Sequence, residues 1–436
     1  MHSAYFGNQA KSDSVQSSVF AAKGPAERFS LGVDGQLRRS VQPRDPDASL
    51  SVTTIGPLVG PVGGDLRLAA DLAWLRRKEK PDEVHGPAIR VADLFSGCGA
   101  MSLGASEACR ALGYRFESAG AYDVDAQALR VYDGLFGLSQ QQPVDLGLTL
   151  QSQLDSAVTD LEAEVVRRAG AVDLVLAGPP CQGHSTLNNR TRHSDPKNEL
   201  YFLLARYAKL VNPKWMIIEN VPTVQSDRSG VVRRTADALE ALGYWVVTGV
   251  VDLWAIGVAQ TRRRHVLVAQ REDTGSLTSL DDLLESYRTR PRAVSWVIED
   301  LLDLSTSDGV DSVKMPDPVT QTRIDYLFDH NLFDLPDHMR PDCHRKKSHT
   351  YQSVYGRMSW SEPAPTITSG FDTMGRGRFV HPKRRRTITA HEAARLQFIP
   401  DFVDFSGVKE RTVLARLIGN AVPPKLSYVL CLELMR

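Results

Sequence analysis

The hydrophobic positions of this chain change period along its length. Between residues 65 and 80, Leu66, Leu68, Ala69, Leu72, Ala73 and Leu75 fall on one face of a helix, which Pro81 ends. From Ile89 onward, short apolar runs alternate with helical stripes. The pattern predicts strands over 89–95, 118–122, 172–177 and 215–219, with helices over 100–112, 126–136, 150–169 and 199–210. A helix over 231–242 and strands over 245–252 and 265–269 close the series. Repeated strand–helix units predict an α/β fold, a parallel, doubly wound sheet covered by helices on both faces.

Outside that series the periodicity weakens. Residues 1–64 are rich in Ser, Gly, Pro and Asp and read as a mobile arm with one short strand near 50–55. Residues 271–330 carry 13 Asp/Glu against six Lys/Arg, and residues 340–395 invert this with 12 Lys/Arg against four acids. Helical signals return over 390–397 and 422–435. The expected organisation is an N-terminal extension (1–87), a sheet-bearing unit (88–270), a second, smaller domain (271–385) and a return to the first unit (386–436).

Composition narrows the class. The 436 residues include 52 Lys+Arg and 52 Asp+Glu, with 42% hydrophobic and 24% charged residues. Those values exclude wholesale disorder and a collagen-like repeat. No apolar run approaches the roughly 18 residues of a membrane span, and residues 1–50 lack the apolar stretch of a secretory signal. The five cysteines (98, 109, 181, 343 and 431) are scattered without a CxxC pair. Reduced thiols and no metal site are therefore expected. Zero net charge argues against a simple electrostatic grip on nucleic acid, until the acidic and basic stretches are separated.

Four segments could carry chemistry. Asp93 through Leu103 runs from a strand through Phe95, Ser96, Gly97 and Gly99 into a helix, so that backbone and helix N–H groups can approach a ligand closely. Ser102 breaks the dinucleotide fingerprint, and a plain strand–helix turn is the bland alternative. Asp123, at the end of the next strand, sits where a ribose diol is gripped, or where a helix is capped. The turn Gly178-Pro179-Pro180-Cys181-Gln182 follows a buried strand and is the one cysteine position suited to a nucleophile. Glu219, ending the apolar strand before Asn220 and Val221, is costly there unless paired or protonated. Arg262, Arg263 and Arg264 run into another strand, whose alternation points Arg262 and Arg264 to one face.

In this order the segments resemble the C5-cytosine DNA methyltransferases. The match comprises the FxGxG loop (Phe95, Gly97, Gly99), Asp123, PCQ (Pro180, Cys181, Gln182), ENV (Glu219, Asn220, Val221) and QxRxR (Gln260, Arg262, Arg264). After the insert come Arg386 to Gln397 and Gly419-Asn420-Ala421-Val422-Pro423-Pro424. The resemblance spans about residues 88–436. Three departures stand out: His391 where the family has Arg before Glu392, Pro179 where some members carry an aromatic residue, and His184 where many carry Phe.

The resemblance implies a Rossmann-like methyltransferase sheet with a target-recognition domain over 271–385. It implies S-adenosyl-L-methionine as cofactor, duplex DNA as substrate and a flipped cytosine as the reacting base. Cys181 would add to C6 while Glu219 holds N3 and the exocyclic amine, and Arg264 with Arg262 would face the O2 side. Phe95, Ser96, Gly97, Gly99, Asp123, Val124, Asp145, Leu146, Pro179, Asn420 and Val422 would surround the cofactor. Gln182, Ser185, Arg190 and Arg192 would follow the catalytic turn onto DNA. Arg345, Lys346, Lys347, Arg376, Arg378, Arg384 and Arg385 would meet DNA from the insert. A bacterial cytoplasmic, nucleoid-associated monomer is expected, with cognate restriction or defence proteins as partners and no membrane. A tRNA cytosine-5 methyltransferase and a catalytically silent DNA-binding relative remain the alternatives.

Overall fold

The computed structural model describes residues 26–44, 49–59, 64–138, 142–180, 196–304, 309–345 and 354–436. Among them, nine strands form two sheets. Strands β1 (Glu27–Leu31), β2 (Gln36–Val41) and β3 (Ser51–Pro57) make a small antiparallel sheet. The six others are β4 (Ala88–Leu94), β5 (Arg115–Tyr122), β6 (Leu174–Ala177), β7 (Trp215–Asn220), β8 (Tyr244–Asp252) and β9 (Arg263–Arg271). They lie in the order β5-β4-β6-β7-β9-β8.

Period-2 alternation explains why this sheet is covered on both faces. Val91, Leu174, Leu176, Ile217, Val266 and Val268 point into one core, with the helices Ala100–Leu112 and Pro424–Met435. Their neighbours Ala92, Val175, Ala177, Met216, Ile218 and Leu267 point into the other, with the helices Leu203–Val211 and Val231–Ala241. Each fully buried Leu, Ile or Val contributes about 1.5–3 kcal/mol. Near-continuous apolar strands are therefore what a two-sided sheet requires.

Several expectations need correction. β4 to β7 are parallel as expected, but β9 runs antiparallel to both β7 and β8. The connection from β8 to β9 holds no crossover helix, so the pair closes as an antiparallel edge. The region expected to be a mobile arm with one strand carries β1–β3, and Leu37 and Val41 are fully buried. Of the helix expected over 150–169 only Asp160–Ala169 forms, and a separate short helix, Leu146–Thr149, precedes it. Thr159 and Glu162 form a reciprocal capping box, which starts a new helix instead of continuing one. The last helix begins at Pro424, not 422, and the helix Arg411–Asn420, unread in the sequence, precedes it. Pro423 and Pro424 each lack a backbone N–H, which separates the two helices.

The order of β5, β4, β6 and β7 places a topological switch between β4 and β6. The glycine loop follows β4 there, and the Pro179–Pro180 turn follows β6. Gly178 N donates to Leu94 O at 3.1 Å across the switch. This crevice at the C-terminal ends of the strands is where such sheets bind ligands.

Candidate active site

Two half-sites lie side by side on this edge. In the first, β4 ends in a backbone bent back on itself: Phe95, Gly97 and Gly99 have φ of 57°, 52° and 84°. A Cβ on Gly99 would stand 2.7 Å from the Tyr132 ring, so only glycine fits there. Asp123 fixes the loop by accepting from Gly97 N at 2.8 Å and from Asp125 N at 2.9 Å. Ser96 Oγ is buried without a hydrogen-bond partner, and Val124 beside Asp123 is 66% exposed. An orphaned hydroxyl, bare backbone and an exposed apolar side chain fit a ligand with polar and flat apolar parts.

A buried network lies beneath this loop. Ser102 Oγ donates to Asp93 Oδ2 at 2.6 Å and lies 3.0 Å from Tyr132 Oη, which also meets Ser118 Oγ at 3.1 Å. Burial pushes the Asp93 carboxyl up to about 8 against the Ser102 bond, with the Asp123 charge adding to the rise. Burial thus favours the neutral form of Asp93 beneath the loop.

The last part of the chain packs beside this loop, where Cys98 Sγ lies 3.9 Å from Leu417 O. Val422 is buried, and Asn420 is exposed at the end of its helix. Gln397, fully buried, donates through Nε2 to Ile418 O at 2.8 Å and to Gly419 O and Ala421 O at 3.2 Å. Its Oε1 accepts from Gln260 Nε2 at 3.0 Å, while Gln260 Oε1 accepts from Ile367 N at 2.9 Å. One pair of glutamines thus joins the QxRxR segment, the insert and the closing turn. Asp145 sits near Asp123 in the chain path, since Val144 N donates to Asp123 O at 2.8 Å. Its Oδ1 caps Gly147 N at 2.9 Å, and Leu146 is buried.

The second half-site is built on β6, β7 and β9. Glu219 is the penultimate residue of β7 and Arg264 is the second of β9, and both side chains are nearly buried. Arg264 Nε lies 2.5 Å from Glu219 Oε1. The contact is ionic but misaligned for a hydrogen bond, so Glu219 Oε1 is buried without a hydrogen-bond donor. Asn220 Nδ2 donates to Pro179 O at 3.3 Å, and its Oδ1 accepts from Val221 N at 2.8 Å. That side chain ties the end of β7 to the turn that leads into Cys181. Arg262 is deeply buried, with Nη1 donating to Ile367 O at 2.9 Å. Cys181, Gln182, Ser185, Arg190, Arg192, Lys346 and Lys347 lie outside the described residues. Cys98, Cys109 and Cys431 are buried, and burial raises all three thiols, Cys98 to about 12.

The basic stretch is less free than its composition implied. Arg378 pairs with Asp334 at 2.6 Å, Arg345 with Asp342 at 2.6 Å and Arg384 with Asp303 at 3.3 Å. Arg385 reaches Asp325 at 3.2 Å and Asp329 at 2.6 Å. Asp303, Asp325 and Asp329 come from the acidic stretch, so the two stretches meet and partly neutralise each other. Arg376 is exposed and packs over Gly370, whose Cβ would stand 2.3 Å from Arg376 Cδ.

His391 does not weaken its segment. Its Nδ1 and Nε2 each lie 2.9 Å from a carboxylate, Asp311 and Asp401, and Arg395 also holds Asp401. Burial opposes the charged form, but the two carboxylates prevail and raise His391 to about 9. A folded value above the unfolded value of about 6.5 stabilises the fold fully below pH 6.5, and that contribution is lost as pH rises through 9. At about 1.4 kcal/mol per pH unit, the contribution is roughly 3–4 kcal/mol. Urea midpoints at pH 6 and 9.5 should therefore fall further in the wild type than in His391→Gln; equal falls would refute the charged bridge.

The comparisons with known proteins agree on one family. The C-5 cytosine-specific DNA methylase family matches residues 89–436. The chain is 43% identical over 367 residues to the Type II methyltransferase M1.BsuMI of Bacillus subtilis, covering 84% of this chain and 85% of that one. It is 33% identical to the Type II methylase M.HgiDII of Herpetosiphon aurantiacus, over 60% and 76% of the two chains. A putative DNA modification methyltransferase encoded within an E. coli prophage shares the fold at TM-score 0.55 and 22% identity, covering 79% of this chain and 98% of its own. Among the described residues, no helix is long and apolar enough to cross a membrane.

Proposed function

The chain belongs to the C-5 cytosine-specific DNA methylase family, and from that premise we propose that it methylates C5 of a cytosine flipped out of a specific duplex DNA sequence, through a covalent bond between Cys181 and C6. The observation that carries this reading is the nearly buried Arg264–Glu219 pair, at the sheet edge where β6 leads into Cys181. In the register Ala177 pairs with Ile218, so Glu219 is one residue beyond the paired position and Cys181 four residues beyond it.

Cytosine C5 is a weak nucleophile until electrons are pushed into the ring. The Cys181 thiolate would add to C6 while a proton on Glu219 moves toward N3 and the other carboxyl oxygen holds the exocyclic amine. Arg264 keeps Glu219 facing the base and stabilises the charge that develops there. Asn220, through Pro179 O, holds the approach to Cys181. The family uses S-adenosylmethionine, which supplies an electrophilic methyl group. Ser96, the bare Gly97–Gly99 backbone, Asp123 and Val124 would hold it, with Pro179, Asn420 and Val422 closing the cradle. Release requires loss of the C5 proton and departure of Cys181 Sγ from C6. A base inside a duplex is out of reach of this edge, so flipping is part of the reading, at a few kcal/mol of unstacking.

The region 271–385 would read the target sequence, and the likeness to Type II enzymes supports a role in restriction–modification with a cognate nuclease. Methyl transfer assayed side by side on duplex DNA and tRNA tests the substrate; activity on tRNA alone would overturn the DNA reading. DNA affinity should also fall steeply with salt despite zero net charge. Four phosphate contacts predict a loss of about 10²-fold between roughly 50 and 200 mM salt. Fluorescence anisotropy on a labelled duplex measures this, and a salt-independent affinity would count against the basic stretch as the DNA grip.

A further inference from the structure

The elements before residue 89 precede the stretch common to the family, residues 89–436, yet their buried charges reach the helices that frame the cofactor cradle. Helix Ala100–Leu112 starts from the glycine loop, and helix Pro424–Met435 starts two residues after Val422. The two touch backbone to backbone. A Cβ on Gly104 would stand 2.0 Å from Pro424 O, and Ser427 Oγ donates to Met101 O at 2.7 Å. The separation of the glycine loop from the Asn420–Val422 turn is therefore set by how these helices sit.

Two charged side chains from the N-terminal elements hold that pair. Arg39 of β2 is 3% exposed; its Nη1 lies 2.9 Å from Glu107 Oε1 on the first helix and donates to Tyr428 Oη at 3.0 Å on the second. Tyr428 Oη in turn donates to Glu27 of β1. Asp71, on the helix Leu66–Leu75, accepts from Lys425 Nζ at 2.8 Å and from Arg292 Nη1 at 2.6 Å. One guanidinium thus bridges the two helices from behind, and a second buried ion pair fixes the start of Pro424–Met435. Neither contact reaches the crevice itself. Loss of Arg39 cuts the link between the two helices, because Glu107 then keeps only Arg110 on its own helix and Tyr428 only Glu27. Loss of Asp71 leaves the buried Lys425 and Arg292 without their shared counter-charge, which local movement relieves.

We propose that Arg39 and Asp71 are positioning residues for the cofactor: the N-terminal sheet and its following helix clamp the two helices whose first turns form opposite walls of the S-adenosylmethionine cradle. The proposal rests on the cradle assigned above. It gives the N-terminal elements a role in the affinity of the site as well as in stability.

Calorimetric binding of S-adenosylmethionine to the full chain tests it, with Arg39→Gln and Tyr428→Phe beside the wild type, well below each protein's melting temperature. Coupling through packed networks of this kind spans about 2- to 30-fold. A rise in Kd of about tenfold in Arg39→Gln, partial recovery in Arg39→Lys and an unchanged KM for DNA would bear the clamp out. A lowered melting temperature with wild-type Kd would overturn it, because the contacts would then serve stability alone. If Arg39→Gln does not fold, Tyr428→Phe, which removes one hydroxyl, decides by the same criterion. Absence of binding by the wild type would instead overturn the cradle, and the clamp with it.

Discussion

Cys181→Ser should abolish methyl transfer to duplex DNA, with rates falling by on the order of 10⁴ to 10⁶ as for other lost nucleophiles. A thiolate forms at neutral pH far more readily than an alkoxide, and addition at C6 needs the anion. Cys98, Cys109 and Cys431 are ill suited to take its place: all three are buried, with thiols raised by burial. Incorporation of labelled methyl groups into duplex DNA is the measurement, with S-adenosylmethionine affinity followed in parallel. The variant should bind the cofactor as the wild type does and transfer nothing. Undiminished transfer would remove Cys181 from the mechanism.

Glu219→Gln has the second largest expected effect. The amide is nearly isosteric and could still hydrogen-bond the base, but it cannot deliver a proton to N3. Loss of a positioned acid costs on the order of 10²- to 10⁴-fold in kcat. The change also leaves Arg264 nearly buried without its counter-charge, and breaking a buried pair costs about 3–5 kcal/mol when the pair is fully desolvated. Arg264 retains some solvent, so the loss of stability should be smaller. A fall in kcat with cofactor affinity preserved separates the chemical role from the structural one. Wild-type kcat would show that the pair only joins β7 to β9.

Much of this was legible in the sequence for a physical reason. The helices over 100–112 and 126–136 begin and end where predicted, because Gly99, Gly113 and Gly137 take left-handed φ at their ends and Asp125 caps the second. Arg264 meets Glu219 because β9 pairs with β7, a contact that period-2 alternation allows but cannot orient. The strand expected near 50–55 is β3, but β1 and β2 escaped, since polar residues such as Arg38, Arg39 and Ser40 dominate β2 and Arg39 is buried through partners on other elements, Glu107 and Tyr428. Gln397 escaped for a similar reason. A buried amide that satisfies three carbonyls looks in sequence like any polar residue at a helix end.

The basic stretch shows the opposite failure. Residue counts separated acid from base along the chain, whereas folding brings Asp303, Asp325 and Asp329 onto Arg384 and Arg385. Phosphates would then compete with carboxylates already in place, and local charge, unlike net charge, depends on that pairing.

The central claim is a cytosine C5 methylated at one DNA sequence through Cys181. Bisulfite sequencing of DNA from cells expressing the wild type or Cys181→Ser tests it most directly. The account predicts protected cytosines at one recurring sequence with the wild type and none with the variant. An identical pattern from both, or no protected cytosine from the wild type, would contradict it.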